Sequence, residues 1–358
     1  MSKRSGKLAE VKSLALSQED QVVVALDVHK RSVYAALRRN GREECTWVMP
    51  MRVESVVAAL QPFAGALKKV VYEAGPTGYG LARAFQQAGL PISVIAPGKT
   101  PQPANPGSKS DRLDCRQLAE YAEKGMLKPV AIPTQQEEDD RQMVRLRSQL
   151  TDKQRRVKQQ IKSLLLQQGV PEPEGLDHWT QAGMNALKAL RLRRAIRYAL
   201  DTLVTELELL MALRKQTEQG IERLVAQKRH RRDHEILRSH PGVGPISASA
   251  FALEVYQPER FERSEELASY VGLAPRVRQS GQTRREGPLI KAGREKLRAL
   301  LIEASWRWIR DDARARRVYR RLVCNTGSGK KAIVAMARRM AVNLWCMLLR
   351  QEVYRRAA

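Results

Sequence analysis

Two long runs in the middle of the chain repeat their apolar residues at spacings of three and four, and an α-helix gives that repeat a single face. The first spans Glu137 to Gly169, with Met143, Leu146, Leu150, Val157, Ile161 and Leu164 in phase. The second runs through Ile196, Leu200, Leu203, Leu207, Leu210, Ile221 and Leu224, and holds heptad phase across the polar residues Arg214 and Thr217. Between them, Pro171-Glu172-Pro173-Glu174-Gly175 breaks the helix. Two rods joined by a break make an antiparallel hairpin, a dimerising arm or a plain helical bundle, and the spacing leaves all three open.

Ahead of the rods the period changes. Gln21-Val22-Val23-Val24-Ala25-Leu26 reads as a strand ending at Asp27, followed by strands around Val33–Leu37 and Cys45–Met49. Val53 to Leu67 has helical periodicity, with Val56, Val57, Leu60, Phe63, Ala64 and Leu67 on one side. A fourth strand ends at Glu73, a helix passes through Leu81–Phe85 and stops at Gly89, and Ile92–Ile95 is a short strand. Such alternation predicts an α/β mixed sheet with helices on its faces. Pro97, Gly98, Pro101, Pro103, Pro106 and Gly107 then mark a loop that could open to substrate.

The helix after that loop begins Lys109-Ser110-Asp111-Arg112-Leu113-Asp114. Carboxylates three apart share a helix face and repel, so one stays protonated unless a cation sits between them. With Asp27 and Glu73 at strand ends, Asp111 and Asp114 could complete a four-carboxylate cage for a divalent metal.

The formal net charge of +26 points to a polyanionic partner, with nucleic acid ahead of a membrane surface. No run is expected to be long and apolar enough to span a bilayer. The start, Met1-Ser2-Lys3-Arg4-Ser5-Gly6-Lys7, is basic and lacks an apolar core behind it, so a flexible arm and a cytoplasmic, nucleoid-associated protein are expected. Cys45, Cys115, Cys324 and Cys346 never form a C-x-x-C pair, which argues for packing roles. His230 and His234 have ligand spacing but lie in a run of Arg and Lys that reads as solvated linker.

Behind the rods the composition is helical and basic. His240-Pro241-Gly242-Val243-Gly244-Pro245 matches the turn of a helix-hairpin-helix module, in which amides at Gly242 and Gly244 meet a backbone phosphate; an ordinary interhelical turn is the alternative. Arg276-Val277-Arg278-Gln279-Ser280-Gly281-Gln282-Thr283-Arg284-Arg285 reads as a basic loop presenting the Ser280 hydroxyl beside Arg276, Arg278, Arg284 and Arg285. Spacing supplies no base for Ser280, and Ser-Gly in a basic turn is commonly structural. Gly327-Ser328-Gly329-Lys330-Lys331 fails the P-loop template, since Cys324 stands where the first Gly belongs and Lys331 where Ser or Thr belongs.

Taken in order, these stretches resemble the DEDD transposases of the insertion-sequence one-ten family and its eleven-eleven subgroup. The likeness rests on Ala25-Leu26-Asp27-Val28-His29-Lys30, Tyr72-Glu73-Ala74-Gly75-Pro76-Thr77-Gly78 and the Asp111/Asp114 stretch at the front. At the back it rests on Pro241-Gly242-Val243-Gly244-Pro245, Arg260-Phe261, Tyr270-Val271-Gly272-Leu273-Ala274-Pro275, Gln279-Ser280-Gly281 and Lys291-Ala292-Gly293. Cys115 departs from the family, which usually has a small alanine there.

The resemblance implies a flexible arm over 1–20, a RuvC-like, RNase H-type domain over 21–133, a coiled-coil hairpin over 134–231 and an all-α C-terminal transposase domain over 232–358. It implies Mg2+ on Asp27, Glu73, Asp111 and Asp114, and Ser280 as a nucleophile that joins covalently to DNA. Nucleic-acid contacts are expected from Gly242, Gly244, Arg276, Arg278, Arg284, Arg285 and Lys291. It further implies double-stranded target and donor DNA as partners, a noncoding guide RNA, a homodimer assembling to a tetramer on DNA, and no membrane. A RuvC-type nuclease that activates water on the same acids, or a scaffold without chemistry, would share much of this pattern.

Overall fold

The computed structural model describes Ser17 and residues 19–101, 111–280, 283–289 and 293–355. Most of the expected basic arm, the loop residues 102–110 and Lys291 lie outside the described residues. The chain divides into two compact units, Met1–Thr134 and Gln135–Ala358.

The first unit is built on β1 (Val22–Val28), β2 (Ser32–Arg39), β3 (Arg42–Pro50), α1 (Val53–Leu60), β4 (Leu67–Glu73), α2 (Gly80–Gln87), β5 (Ile92–Ile95), α3 (Asp111–Glu123) and β6 (Pro129–Val130). The strands form one sheet in the order β3-β2-β1-β4-β5-β6. β1 runs parallel to β4, and β4 to β5, whereas β2, β3 and β6 run antiparallel to their neighbours. The sheet is mixed, as expected.

Period-two alternation sends the two faces of β1 into different cores. Val22, Val24 and Leu26 pack with Leu60, Phe63 and Phe85 from the α1 and α2 side. Val23 and Ala25 pack with Cys115, Leu118 and Ala119 of α3. Leu26, Leu60 and Phe85 are fully buried, each contributing about 1.5–3 kcal/mol of transfer free energy.

The expected helix from Val53 to Leu67 is shorter. α1 ends at Leu60 and a single 3-10 turn, Gln61–Phe63, carries Pro62. Proline lacks the N–H and crowds the carbonyl one turn back, so the helix cannot propagate. Phe63 still reaches the core, but Leu67 opens β4.

The second unit begins with α4 (Gln135–Gln167), α5 (Gln181–Ala189) and α6 (Arg194–Val225). α4 and α6 are antiparallel: Arg147 Nε donates to Glu218 at 2.9 Å, and the Gln154 side-chain amide to the Leu210 carbonyl at 2.8 Å. The core seam uses Leu150, Val157, Ile161 and Leu165 against Leu200, Val204, Leu207 and Leu210. It differs by one position from expectation at Leu165 and Val204, and Leu146 is exposed. Thr217 fits the seam because its hydroxyl donates to the Leu213 carbonyl. α5 went unforeseen: the Thr180 side chain caps it by accepting from the Gly183 amide, and Met184 and Leu187 close the end of the hairpin core.

Then follow α7 (Lys228–Arg238), α8 (Pro245–Val255), α9 (Ser264–Val271), β7 (Pro275–Ser280), β8 (Thr283–Leu289), α10 (Glu295–Asp311), α11 (Ala313–Thr326) and α12 (Gly329–Arg350). Two expectations are corrected here. The C-terminal region is not all-α, because β7 and β8 form an antiparallel ribbon where a basic loop was expected. Arginine charge masked a hairpin signal, two strand-length runs separated by Gly281-Gln282. His230 is not in a solvated linker: it lies on α7, and its Nε2 is 2.8 Å from the buried carboxylate of Asp140, which also accepts from Arg229 and Gln136.

Ser328 caps α12 through the Lys331 amide, so the Gly-Ser-Gly-Lys stretch serves as a helix start. α12 itself is long and apolar enough to cross a membrane by length and composition, contrary to expectation. Yet 56% of its apolar window is buried inside the protein, and Met336, Met340 and Leu344 lie at the centre of the C-terminal core.

Candidate active site

Parity along the strands places the first two acids. Asp27 follows Val23 and Ala25 on the α3 face of β1, and Glu73 follows Val71 on the same face of β4. Because Leu26 pairs with Tyr72 across the parallel ladder, Asp27 and Glu73 are the next residues on adjacent strands. α3 supplies the third. Its Cys115 thiol donates to the Ala25 carbonyl at 3.2 Å, which pins the first turn of the helix over β1 and carries Asp114 with it.

Asp27, Glu73 and Asp114 line one cavity of about 280 Å³, together with Thr100, Gln117 and Leu118. Asp27 and Glu73 are half-buried and Asp114 is exposed. Asp111 is the first residue of α3, but its side chain lies outside the described set. Among the described residues, no three His, Cys, Asp or Glu side chains come close enough together to hold a metal ion. The donor set is nevertheless all hard oxygen, the kind that suits Mg2+.

The sequence assigned no role at these acids to Thr100 or His29, whereas the packing role expected of Cys115 is what its burial shows. The Thr100 hydroxyl donates a short hydrogen bond to Glu73 Oε1. His29 Nε2 lies 3.1 Å from Asp27 Oδ2. Burial, and then the negative charge of Asp27, push the Cys115 thiol up to about 12. The advance signals were slight: Thr100 is the single hydroxyl in Ala96–Pro101, and His29 stands two residues after Asp27.

In the second unit, β7 ends on Ser280, whose ladder partner is Thr283. The same register sets Arg278 opposite Arg285 and Gln279 opposite Arg284. Arg276 is exposed at the base of the ribbon. The side chains of Ser280, Arg278, Arg284 and Arg285, and all of Lys291, lie outside the described residues.

The turn between α7 and α8 holds both glycines, with different surroundings. Gly242 has φ +85°, and an added Cβ would lie 2.5 Å from the Ala304 carbonyl and 2.6 Å from the Trp308 amide. Close packing on α10 thus requires a glycine here. A Cβ on Gly244 would meet nothing within 4 Å. His240, 1% exposed, packs between the rings of Trp308 and Tyr354, and burial lowers its pKa to about 4.

The front of the chain matches the DEDD transposase model for IS110 elements over residues 18–170, and the back matches the model described as Transposase IS116/IS110/IS902 family over residues 234–320. Two Sinorhizobium fredii proteins named as transposases are similar: y4rJ is 30% identical over 77% of this chain and 76% of its own length, and y4qE is 29% identical over 82% and 73%. The chain belongs to this transposase family. The transposase is also 27% identical to that of insertion sequence element IS1111A from Coxiella burnetii, over 76% of this chain and 75% of that one. Among solved structures, T. thermophilus RuvC in complex with a Holliday junction substrate aligns over 31% of this chain and 99% of its own, at 15% identity and a TM-score of 0.23. As a transposase the chain is a DNA-cutting and recombining enzyme. Its four expected acids fall within the first family match and Ser280 within the second.

Proposed function

We propose that the transposase cuts and rejoins DNA strands through Ser280, with Mg2+ held by Asp27, Glu73, Asp111 and Asp114. The observation that supports the metal assignment is that Asp27, Glu73 and Asp114, from two strands and a helix, line one cavity. When bound there, the metal would offset phosphate charge and stabilise the departing oxygen. Thr100 and His29 orient two of the carboxylates through the bonds they make to them.

In the proposed exchange, the Ser280 oxygen forms a bond to phosphorus and the bridging phosphodiester bond breaks. The departing strand leaves as a hydroxyl after taking up a proton, the serine having lost one. The covalent phosphoserine conserves bond energy, so a strand hydroxyl can attack it, reverse the chemistry and free the serine. Arg276, Arg278, Arg284 and Arg285 are proposed to neutralise phosphates beside it, with support from the opposed arginines in the β7–β8 register.

Residues 21–133 would act as the catalytic domain, 134–231 as a coiled-coil dimerising arm and 232–358 as the domain delivering the serine, in a dimer that pairs into a tetramer on DNA. A noncoding guide RNA from the element is proposed to select target and donor; the +26 charge supports an RNA partner beside DNA. Protein purified without nuclease treatment should then carry one discrete RNA, and a heterogeneous smear would count against guidance. Denaturing traps with Mg2+ and DNA test the nucleophile: a protease-sensitive adduct lost in Ser280→Ala is expected. Free nicked products without an adduct would instead indicate hydrolysis by water.

A further inference from the structure

The C-terminal unit contains a second cavity, of about 770 Å³, between α10, α11, α12 and the segment 351–355. Its volume lies in the range of about 300–1,000 Å³ typical of pockets that enclose small ligands. Val318, Leu322, Val342, Cys346 and Met347 make the walls apolar, and Asn343 supplies a donor and an acceptor among them. Trp308 and Tyr354 also line it.

Arg314, Arg338, Arg339, Arg350 and Arg355 surround this apolar interior, against one carboxylate, Glu352. Arg338 faces Glu265 at 3.7 Å and Arg355 pairs with Glu352 at 3.1 Å. Arg314, Arg339 and Arg350 are exposed and make no ion pair among the described residues. A solvated helix face would not gather its unpaired cations around an apolar hollow. A cationic rim around a largely apolar interior fits a ligand with phosphates outside and a flat, largely apolar body inside.

We propose that this cavity takes a nucleotide whose base has left its stack, with the rim arginines on the flanking phosphates and Asn343 on the base edge. The proposal rests on the nucleic-acid chemistry of a transposase and not on the acid tetrad or Ser280. Binding is therefore measured in EDTA, where no cleavage occurs and a failure of the serine mechanism cannot change the result.

The probes are matched DNA and RNA single strands carrying 2-aminopurine at successive positions, with the full-length protein. Enhanced fluorescence at a defined position is expected in at least one of the two, and the arm that responds identifies the source of the nucleotide. Cys346→Phe, which fills the cavity, should remove that signal and weaken binding roughly tenfold with an unchanged salt slope. Arg339→Gln and Arg350→Gln, both on the exposed rim, should each reduce the slope of log affinity against log salt by about one. The rim variants stand as a test even if Cys346→Phe fails to fold. Unchanged slopes in both would overturn the proposal. So would a folded Cys346→Phe that binds and fluoresces like the parent, a result that would favour an apolar protein segment as the occupant.

Discussion

The acid-lined cavity of the first unit and the arginine-rimmed cavity of the second carry opposite charge, and under the two proposals both would handle phosphate. The first has Asp27, Glu73 and Asp114 from two strand ends and a helix start, and burial, followed by the negative charge of Asp27, raises the neighbouring Cys115 thiol. In the proposed chemistry it takes up a cation before it faces a phosphodiester. The second is larger and presents guanidinium groups around apolar walls, so it can meet a polyanion directly. If both proposals hold, recognition and chemistry fall to different charges on different elements, and the two should fail separately.

The largest expected effect tests that separation. Asp27→Asn should lower Mg2+-dependent strand cleavage by about a thousandfold or more while leaving nucleic-acid affinity within twofold. A parallel loss of affinity, measured by anisotropy, would merge the two roles. Gly242→Ala should come next, destabilising the C-terminal unit by about 3 kcal/mol through the contacts of its Cβ with α10 and the strain of φ +85°. A clear drop in Tm with the first unit's transition unmoved is the expected melt.

His240 sharpens the comparison through pH. Its folded pKa, about 4, lies below the ordinary value of 6.5, so the unfolded chain binds the extra proton between those limits. Stability contributed by the neutral ring is complete above about pH 6.5 and is lost as pH falls toward 4, by roughly 3 kcal/mol in all. Denaturant midpoints of the C-terminal unit should fall across that window, and less so in His240→Gln. Thr100→Val should have the smallest effect, a drop of roughly tenfold in cleavage that higher Mg2+ partly restores. No response to Mg2+ would mean that Thr100 supports the loop and does not orient Glu73.

Much of this was legible because it depends on local chemistry. Val22–Leu26 and Ile92–Ile95 announce strands by composition, and Asp27 and Glu73 were noticed because polar residues end apolar runs. What was missed depends on distant partners or on competing signals. Nothing near His230 reveals that Asp140, ninety residues earlier, will hold it on a helix. The apolar spacing to Leu67 outweighed Pro62, and the arginine density of 276–285 outweighed Val277 and Thr283 as strand formers. α5 hid behind the Pro-Glu-Pro-Glu-Gly break because its two core residues, Met184 and Leu187, are too few to show a period.

Cys115 has a practical consequence. A thiol buried over the Ala25 carbonyl and pushed up to about 12 carries almost no thiolate at neutral pH, so it resists alkylation and oxidation beside the acids. Cys324 is exposed on α11, in the other unit. With Cys45 and Cys346 half-buried, a maleimide dye on a Cys45→Ser, Cys346→Ser background should therefore report from the C-terminal helices without Cys115 having to be replaced.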